Sequence, residues 1–219
     1  GVFLLAIYAC ARRNEKHKDC RETADLCVSR RKKRLQGIVF SCFIAFLLLF
    51  LLFPQKKSFE IDFLDVGQGD GIYLCTGGGT SMFIDGGSTD VKQVGKYRIL
   101  PFLKAKGVSE ISYWFVSHTD TDHVSGLKEV LVSGYRVEYL VFAKAVEKEA
   151  KTKELAELAR SHGTKVFYMQ AGETVRSKRA AMRCLYPKAA DKAQDINDRC
   201  LVLQFEEGDI SALFGGDIS

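Results

Sequence analysis

Two regimes of hydrophobic patterning divide the chain near Pro54. Upstream, apolar residues run on without alternation: Gly1 to Ala11 (GVFLLAIYACA), then Leu35 to Phe53 (LQGIVFSCFIAFLLLFLLF), the latter 19 residues with no charge. A helix of that length rises roughly 28 Å, close to the ~30 Å of a hydrocarbon core. Downstream the apolar runs are short. Phe59 to Leu64 alternates apolar and acidic residues at period two. Ile72 to Cys75 and Ser81 to Ile84 follow, set off by the turns Gly67-Gln68-Gly69 and Gly77-Gly78-Gly79. This is the pattern of a strand meander. No helical pattern follows the first glycine turn, which argues against a dinucleotide fold.

Beyond the meander, helical and strand periods alternate. The pattern predicts a helix over Val91 to Lys106 stopping at Gly107, a buried strand over Ile111 to Val116, a helix over Ser125 to Leu131 and a strand over Val137 to Phe142. Val146 to His162 follows as an amphipathic helix, with Glu147/Lys151 and Glu149/Lys153 four apart and Gly163 at its stop. His162 in its last turn is expected to complement the helix dipole. Lys165 to Met169, Ala181 to Leu185, Leu201 to Phe205 and Ile210 to Phe214 read as further strands. Arg176, Lys178 and Arg179 between them read as a solvated turn. The alternation points to an α/β chain with two sheets sandwiched by helices.

Charge is distributed as unevenly as hydrophobicity. Residues 1–53 carry 10 Lys and Arg against 4 Asp and Glu, whereas residues 54–219 carry 22 against 23. The basic excess therefore belongs to the membrane-like piece and says nothing about a nucleic-acid groove in the rest. The expected organisation is the end of a spanning helix at 1–11, a basic cytoplasmic loop at 12–34, a transmembrane helix at 35–53 and a globular domain at 58–219. The basic loop precedes the span, so the positive-inside rule puts the domain outside the cell membrane. The seven cysteines show no disulfide framework and read as free thiols.

The chemistry concentrates where the strand Ile111 to Val116 ends. Ser117-His118-Thr119-Asp120-Thr121-Asp122-His123 holds two imidazoles and two carboxylates within six consecutive residues. Helix capping employs one Asp or Ser and leaves both histidines unexplained. In a loop leaving a strand, alternate residues point the same way, so His118 and Asp120 can share one ion while Asp122 and His123 turn toward a second. Imidazole suits zinc, iron or manganese, and the extra carboxylate moves preference toward manganese, with zinc still open. Asp85, at the end of the third short strand, is expected to fix a ligating histidine or loop amides. Asp65 and Asp70 bound the glycine turn, where an Asp commonly bonds its own backbone. Asp217 ends the last strand in Gly215-Gly216-Asp217.

The order DVGQGDG, DGG, SHTDTDHVSG, NDRCLVL, GGDI resembles the extracellular metallo-β-lactamase-like domain of the ComEC family, membrane proteins that take up DNA in natural competence. The resemblance runs from about Phe59 to Ser219, and the upstream basic loop and span resemble the end of that family's membrane region. It implies an αββα sandwich with a site for two divalent metal ions, zinc or manganese. His118 and Asp120 would ligate the first ion, Asp122 and His123 the second, and Asp217 would bridge them, with Asp85, Asp70 and Asn197 in support. Asp120 and Asp122 would carry the catalytic step, Asp122 by orienting the attacking hydroxide. The implied partners are DNA, single-stranded or duplex, the membrane, and the remainder of the same membrane protein, the chain being expected to be a piece of it at both ends. Tyr186 stands where the wider superfamily has a histidine. Beside a nuclease, a non-catalytic DNA-guiding domain and a hydrolase of another envelope phosphodiester or ester are compatible with the same residues.

Overall fold

A computed structural model describes residues 29–51, 58–188 and 199–217. The chain divides into two compact units, Gly1–Gln55 and Lys56–Ser219. In the first, helix α1 (Ser29–Leu51) is long and apolar enough to cross a membrane. Its side chains are exposed along the described length, as a lipid-facing helix would be. It begins with the basic run Arg30 to Arg34, which the sequence pattern places in a loop. The rest of that loop, and the apolar stretch before it, lie outside the described residues.

The second unit opens with β1 (Glu60–Phe63), β2 (Gly71–Cys75) and β3 (Ser81–Asp85), paired antiparallel in sequence order. The alternating acids of β1 have a clear use: Glu60 and Asp62 both pair with Lys106 at the end of the next helix. After β3 the connections lengthen and the sheet turns parallel. Helix α2 (Leu100–Ala105), β4 (Glu110–Phe115), α3 (Thr121–Val132), β5 (Arg136–Ala143), α4 (Ala150–Ser161) and β6 (Lys165–Met169) follow. They complete a six-stranded sheet ordered β1-β2-β3-β4-β5-β6. Each of the parallel connections carries one helix, and with the strands in sequence order the usual crossover hand puts all three helices on one face. That face is aromatic: Phe83 stacks on the fully buried Trp114 at 4.3 Å, and Tyr73 meets Phe102 of α2 edge-on at 5.5 Å.

The other face packs against a four-stranded antiparallel sheet of β7 (Thr174–Ser177), β8 (Ala180–Tyr186), β9 (Val202–Glu207) and β10 (Ile210–Phe214), ordered β10-β9-β8-β7. Phe59 stacks on Phe205 at 5.5 Å across the layers, and the amide of Leu201 bonds the carbonyl of Ser117 at 2.8 Å. Buried residues of both sheets form one continuous core. The two packed sheets match the expected sandwich; among the described residues of this unit, all three α-helices cover the six-stranded sheet.

Four local expectations need correction. The helix expected over Val91 to Lys106 is a widened turn at Gly95–Ile99 followed by α2, because Pro101 has no amide to continue an α-helical ladder. Helix α3 starts at Thr121, not near Ser125, because Asp120 already has the extended backbone of an N-terminal cap. Helix α4 starts at Ala150, so Glu147 is not on it, and neither i,i+4 pair forms. Glu147 pairs with Lys144, Glu149 with Arg199 and Lys151 with Asp120. Arg176 belongs to strand β7, whose hairpin to β8 turns at Lys178 and Arg179. Four residues of mixed polarity carried no readable period. His162 is the C-terminal cap of α4, with its Nδ1 2.9 Å from the carbonyl of Leu158.

Candidate metal centre

The switch from antiparallel to parallel pairing at β3 opens the sheet edge where its carboxyl ends gather, the usual position of a site in an open α/β sheet. Asp85 ends β3, Ser117 and His118 follow β4, and Asp122 and His123 lie in the first turn of α3. Close backbone packing holds these pieces together. A Cβ on Gly87 would fall 2.3 Å from the carbonyl carbon of Asp122, and one on Gly69 2.4 Å from its oxygen. The glycines of DVGQGDG and DGG thus let two turns press against the start of α3, which brings Asp70 to the site.

His118 and His123 are each only 2% exposed, and their rings lie 3.9 Å apart. His123 Nδ1 is 3.1 Å from Asp85 Oδ2, while Asp85 Oδ1 accepts the amide of Ser117 at 2.8 Å. This fixes the ring so that Nε2 faces outward, 3.3 Å from Asp217 Oδ2 and 3.9 Å from Asp122 Oδ2. His118 Nε2 faces the same way, 4.0 Å from both Asp217 Oδ2 and Asp120 Oδ2. Its Nδ1 meets Ser117 Oγ at 3.1 Å and Cys200 Sγ at 3.4 Å. Asp217, delivered by the end of β10, stands between the two imidazoles.

Asp120 turns one carboxylate oxygen toward His118 and the other away from the centre. Its Oδ1 accepts a hydrogen bond from Lys151 of α4 at 2.8 Å, which holds its carboxyl below the ordinary carboxylate range. Because Asp122 and His123 are helical, their directions follow a helical turn rather than a strand's alternation. Asp70 comes closer than a supporting role requires, grouping with His123 and Asp217 as His118 groups with Asp122 and His123. Within each trio the candidate ligand atoms lie within 4.8 Å of one another. Two overlapping trios of imidazole and carboxylate suit hard or borderline divalent cations.

The electrostatics match a site built for positive charge. Burial raises the Asp70 carboxyl, and the neighbouring Asp85, Asp217 and Asp122 raise it further, against a smaller opposing pull from His123. Burial would lower His123, but its bond to Asp85 and the surrounding carboxylates outweigh this and push it up to about 9. His118 is lowered, by burial and then by His123. The excess of carboxylate is a charge the protein alone leaves unbalanced.

Asn197 lies outside the described residues. Tyr186 ends β8 opposite Val202. Asp65 forms an exposed ion pair with Arg98 at 3.1 Å, away from the centre. Lys151 and the contact of Cys200 with His118 were not read from the sequence. Lys151 is 31 residues from its partner on another helix, and Cys200 carries no signal beyond being a buried thiol.

No protein-family model matches the chain. It is 28% identical over 209 residues to ComE operon protein 3 of Bacillus subtilis, covering 88% of this chain and 27% of the relative. It is 31% identical over 106 residues to Recombination protein 2 of Haemophilus influenzae, covering 48% of this chain and 13% of that protein. The chain therefore spans about a quarter or less of the curated relatives it matches. Both are ComEC-type proteins, so the likeness carried by the motif order extends over most of the chain in the first and about half of it in the second. Among solved structures, a metallo-β-lactamase from Cronobacter sakazakii superposes with a TM-score of 0.50 at 13% identity, covering 70% of this chain and 60% of that one. The fold is that of the metallo-β-lactamases.

Proposed function

From a metallo-β-lactamase fold joined to a ComEC-type sequence, we propose that residues 58–217 form a metal-dependent phosphodiesterase that cuts DNA outside the cell, within a membrane protein of DNA uptake. One observation carries the reading: His118, His123, Asp122, Asp217 and Asp70 converge at the carboxyl ends of β3 and β4 with their ligand atoms facing one another. An uncharged pocket would bind a phosphodiester poorly, and this acid-rich one repels it unless cations intervene. Divalent ions held by these residues would supply Lewis acidity toward a phosphate oxygen and acidify water.

The chain's own groups have separable tasks. Asp85 holds His123 by Nδ1 and leaves Nε2 for coordination. Ser117 and Cys200 hold His118 by Nδ1 to the same end. Asp217 stands between the two rings and would help both histidines hold the metal. Asp122, at the rim of the centre, is positioned to orient an attacking water, and Asp120, tied to Lys151, completes the ligand set on the His118 side. The basic start of α1 supports an outward-facing domain, since the positive-inside rule keeps that end of the helix in the cytoplasm.

The test uses the complete membrane protein in detergent, with manganese or zinc added, on single-stranded and duplex oligonucleotides. Wild type is expected to cut DNA, and His118→Ala with Asp120→Ala to abolish cutting. DNA binding with no turnover by the metal-loaded wild type would replace the nuclease with a guiding domain. Cleavage of small chromogenic diesters with DNA left intact would point to another envelope substrate.

A further inference from the structure

Away from the metal centre, the open side of the sandwich exposes an unusual row of rings. Tyr113 of β4 and Tyr139 of β5 are directly paired in register, and Phe167 of β6 sits opposite Val141, two residues on from Tyr139. All three therefore share one sheet face, the one turned away from the helices. Tyr113 and Tyr139 lie nearly parallel, 5.1 Å between centroids and 16° between planes, and Phe167 continues the row at 5.4 Å from Tyr139. Cross-strand pairing explains why such rings adjoin. It does not explain why Phe167 is left 52% exposed in a strand.

The second sheet stops short of covering this row. Its edge strand β7 forms only the far wall, with Thr174, Val175 and Arg176, leaving a cavity of about 550 Å³ between the rings and that strand. Volume and lining suit a flat aromatic group. Arg176 and Glu173 line the cavity, and Lys165 stands beside it against Tyr139. Lys165 Nζ lies 4.8 Å from the Tyr139 ring centroid and 3.4 Å from its hydroxyl, and Arg176 faces it from the exposed edge. Of the nearby acids, Glu173 is occupied by the amide of Gln170 at 3.1 Å, and Glu138 lies 3.8 Å from Lys165. Of the three rings only Phe167 is exposed, Tyr113 and Tyr139 being stacked on each other. An exposed ring with cations beside it is the chemistry that binds unpaired nucleic acid: a base stacks on the ring and phosphates meet the cations.

We propose that this slot is a second nucleic-acid site, in which an unpaired base of a single strand stacks on Phe167 beside the pair of Tyr113 and Tyr139 while Lys165 and Arg176 take the flanking phosphates. It rests on the reading of DNA as substrate and deepens it: the preferred form is a single strand, held at a place separate from the cutting centre. Because stacking needs no metal, the site can be tested with the ions removed.

The experiment measures fluorescence anisotropy of a labelled oligothymidylate on the full chain in detergent with EDTA, beside an abasic strand of equal length. Wild type is expected to bind the thymidylate at least about tenfold more tightly than the abasic strand. Phe167→Leu keeps an apolar side chain of similar bulk and removes the ring, so it should fold as wild type and lose about tenfold in affinity for thymidylate only. Arg176→Glu should weaken both strands. Metal-dependent cleavage of a small chromogenic diester should be the same in all three proteins. Equal binding of the two strands by wild type, or undiminished binding by Phe167→Leu, overturns the slot while leaving the nuclease intact. A wild type that binds neither strand in EDTA also overturns the slot, and leaves the metal-dependent nuclease to the cleavage test. Concentration-dependent self-association that Phe167→Leu abolishes would assign the rings to a protein contact instead.

Discussion

Asp85 joins the end of β3 to His123 of α3 through a 3.1 Å contact between Oδ2 and Nδ1, and the same carboxylate takes the Ser117 amide through its other oxygen. One buried acid thereby sets the orientation of a candidate ligand and the course of the loop that carries the other histidine. Its own backbone lies in the left-handed region, at φ 58°. Asparagine tolerates that conformation and keeps the size, so Asp85→Asn removes the charge with little backbone cost. The expected result is a 10- to 100-fold loss of divalent-ion affinity, on the order found when a histidine's outer partner is changed. Competition with a chelating dye would measure it, and wild-type affinity would count against the assigned role.

Lys151 places a positive charge 2.8 Å from Asp120 and competes with any cation for that carboxylate. Lys151→Ala should strengthen divalent-ion binding several-fold, because a like charge is removed from beside the ions. Both partners are substantially exposed, so the pair itself adds little to folding, at most about 1 kcal/mol. Ion titration with thermal unfolding on the same samples would separate the two effects; weaker ion binding in the variant would show that Lys151 holds Asp120 in its ligating position.

At Gly87 the constraint is steric. An added methyl would meet the backbone of Asp122 and His123 at 2.3 to 2.5 Å, with no flexible side-chain end able to yield. Gly87→Ala should destabilise the domain by about 1–3 kcal/mol and displace the first turn of α3. Chemical denaturation would report the first effect and ion affinity the second. A variant with unchanged stability would mean that the two turns do not press on α3 as closely as described.

Burial pushes the Cys184 thiol up to about 12, the bond to the Tyr186 carbonyl opposing it only in part. An unfolded thiol titrates near 8.5, so between roughly pH 9 and 12 the unfolded chain loses a proton that the folded chain keeps. Stability is unaffected by this group below that window and should fall as pH rises through it. Cys200, raised to about 12 by burial, acts in the same direction. Denaturation curves at pH 8 and pH 10.5 should differ more in wild type than in Cys184→Ala. Iodoacetamide should leave Cys184 unlabelled until the protein unfolds.

Much of the candidate site was legible because metal ligands must be side chains of a few types, and this chain crowds them at the end of an apolar strand. His118, Asp122 and His123 are together for that reason, and Asp85 was readable as a carboxylate closing a strand. Asp70 was underestimated, since its turn gains access only through the backbone packing of Gly69 and Gly87. Asp120 and Asp122 stand beside the histidines the sequence pairs them with, but the start of α3 depends on a cap that shifts by a few residues without changing the pattern. Strand β7 escaped notice because an edge strand buries too little to show a period.

What the residues alone determined is whatever depends on spacing along the chain: a span long enough for a bilayer, a meander punctuated by glycine, and a dense run of ligand types following a strand. Only the tertiary structure decided which groups meet across distance. Lys151 reaches Asp120, Asp217 comes between two imidazoles, Cys200 backs His118, and three rings from three strands line one slot. Local periodicity records which face of an element is apolar, but it does not record which faces of different elements are brought together. That depends on strand order and crossover direction, set by the packing of the whole core.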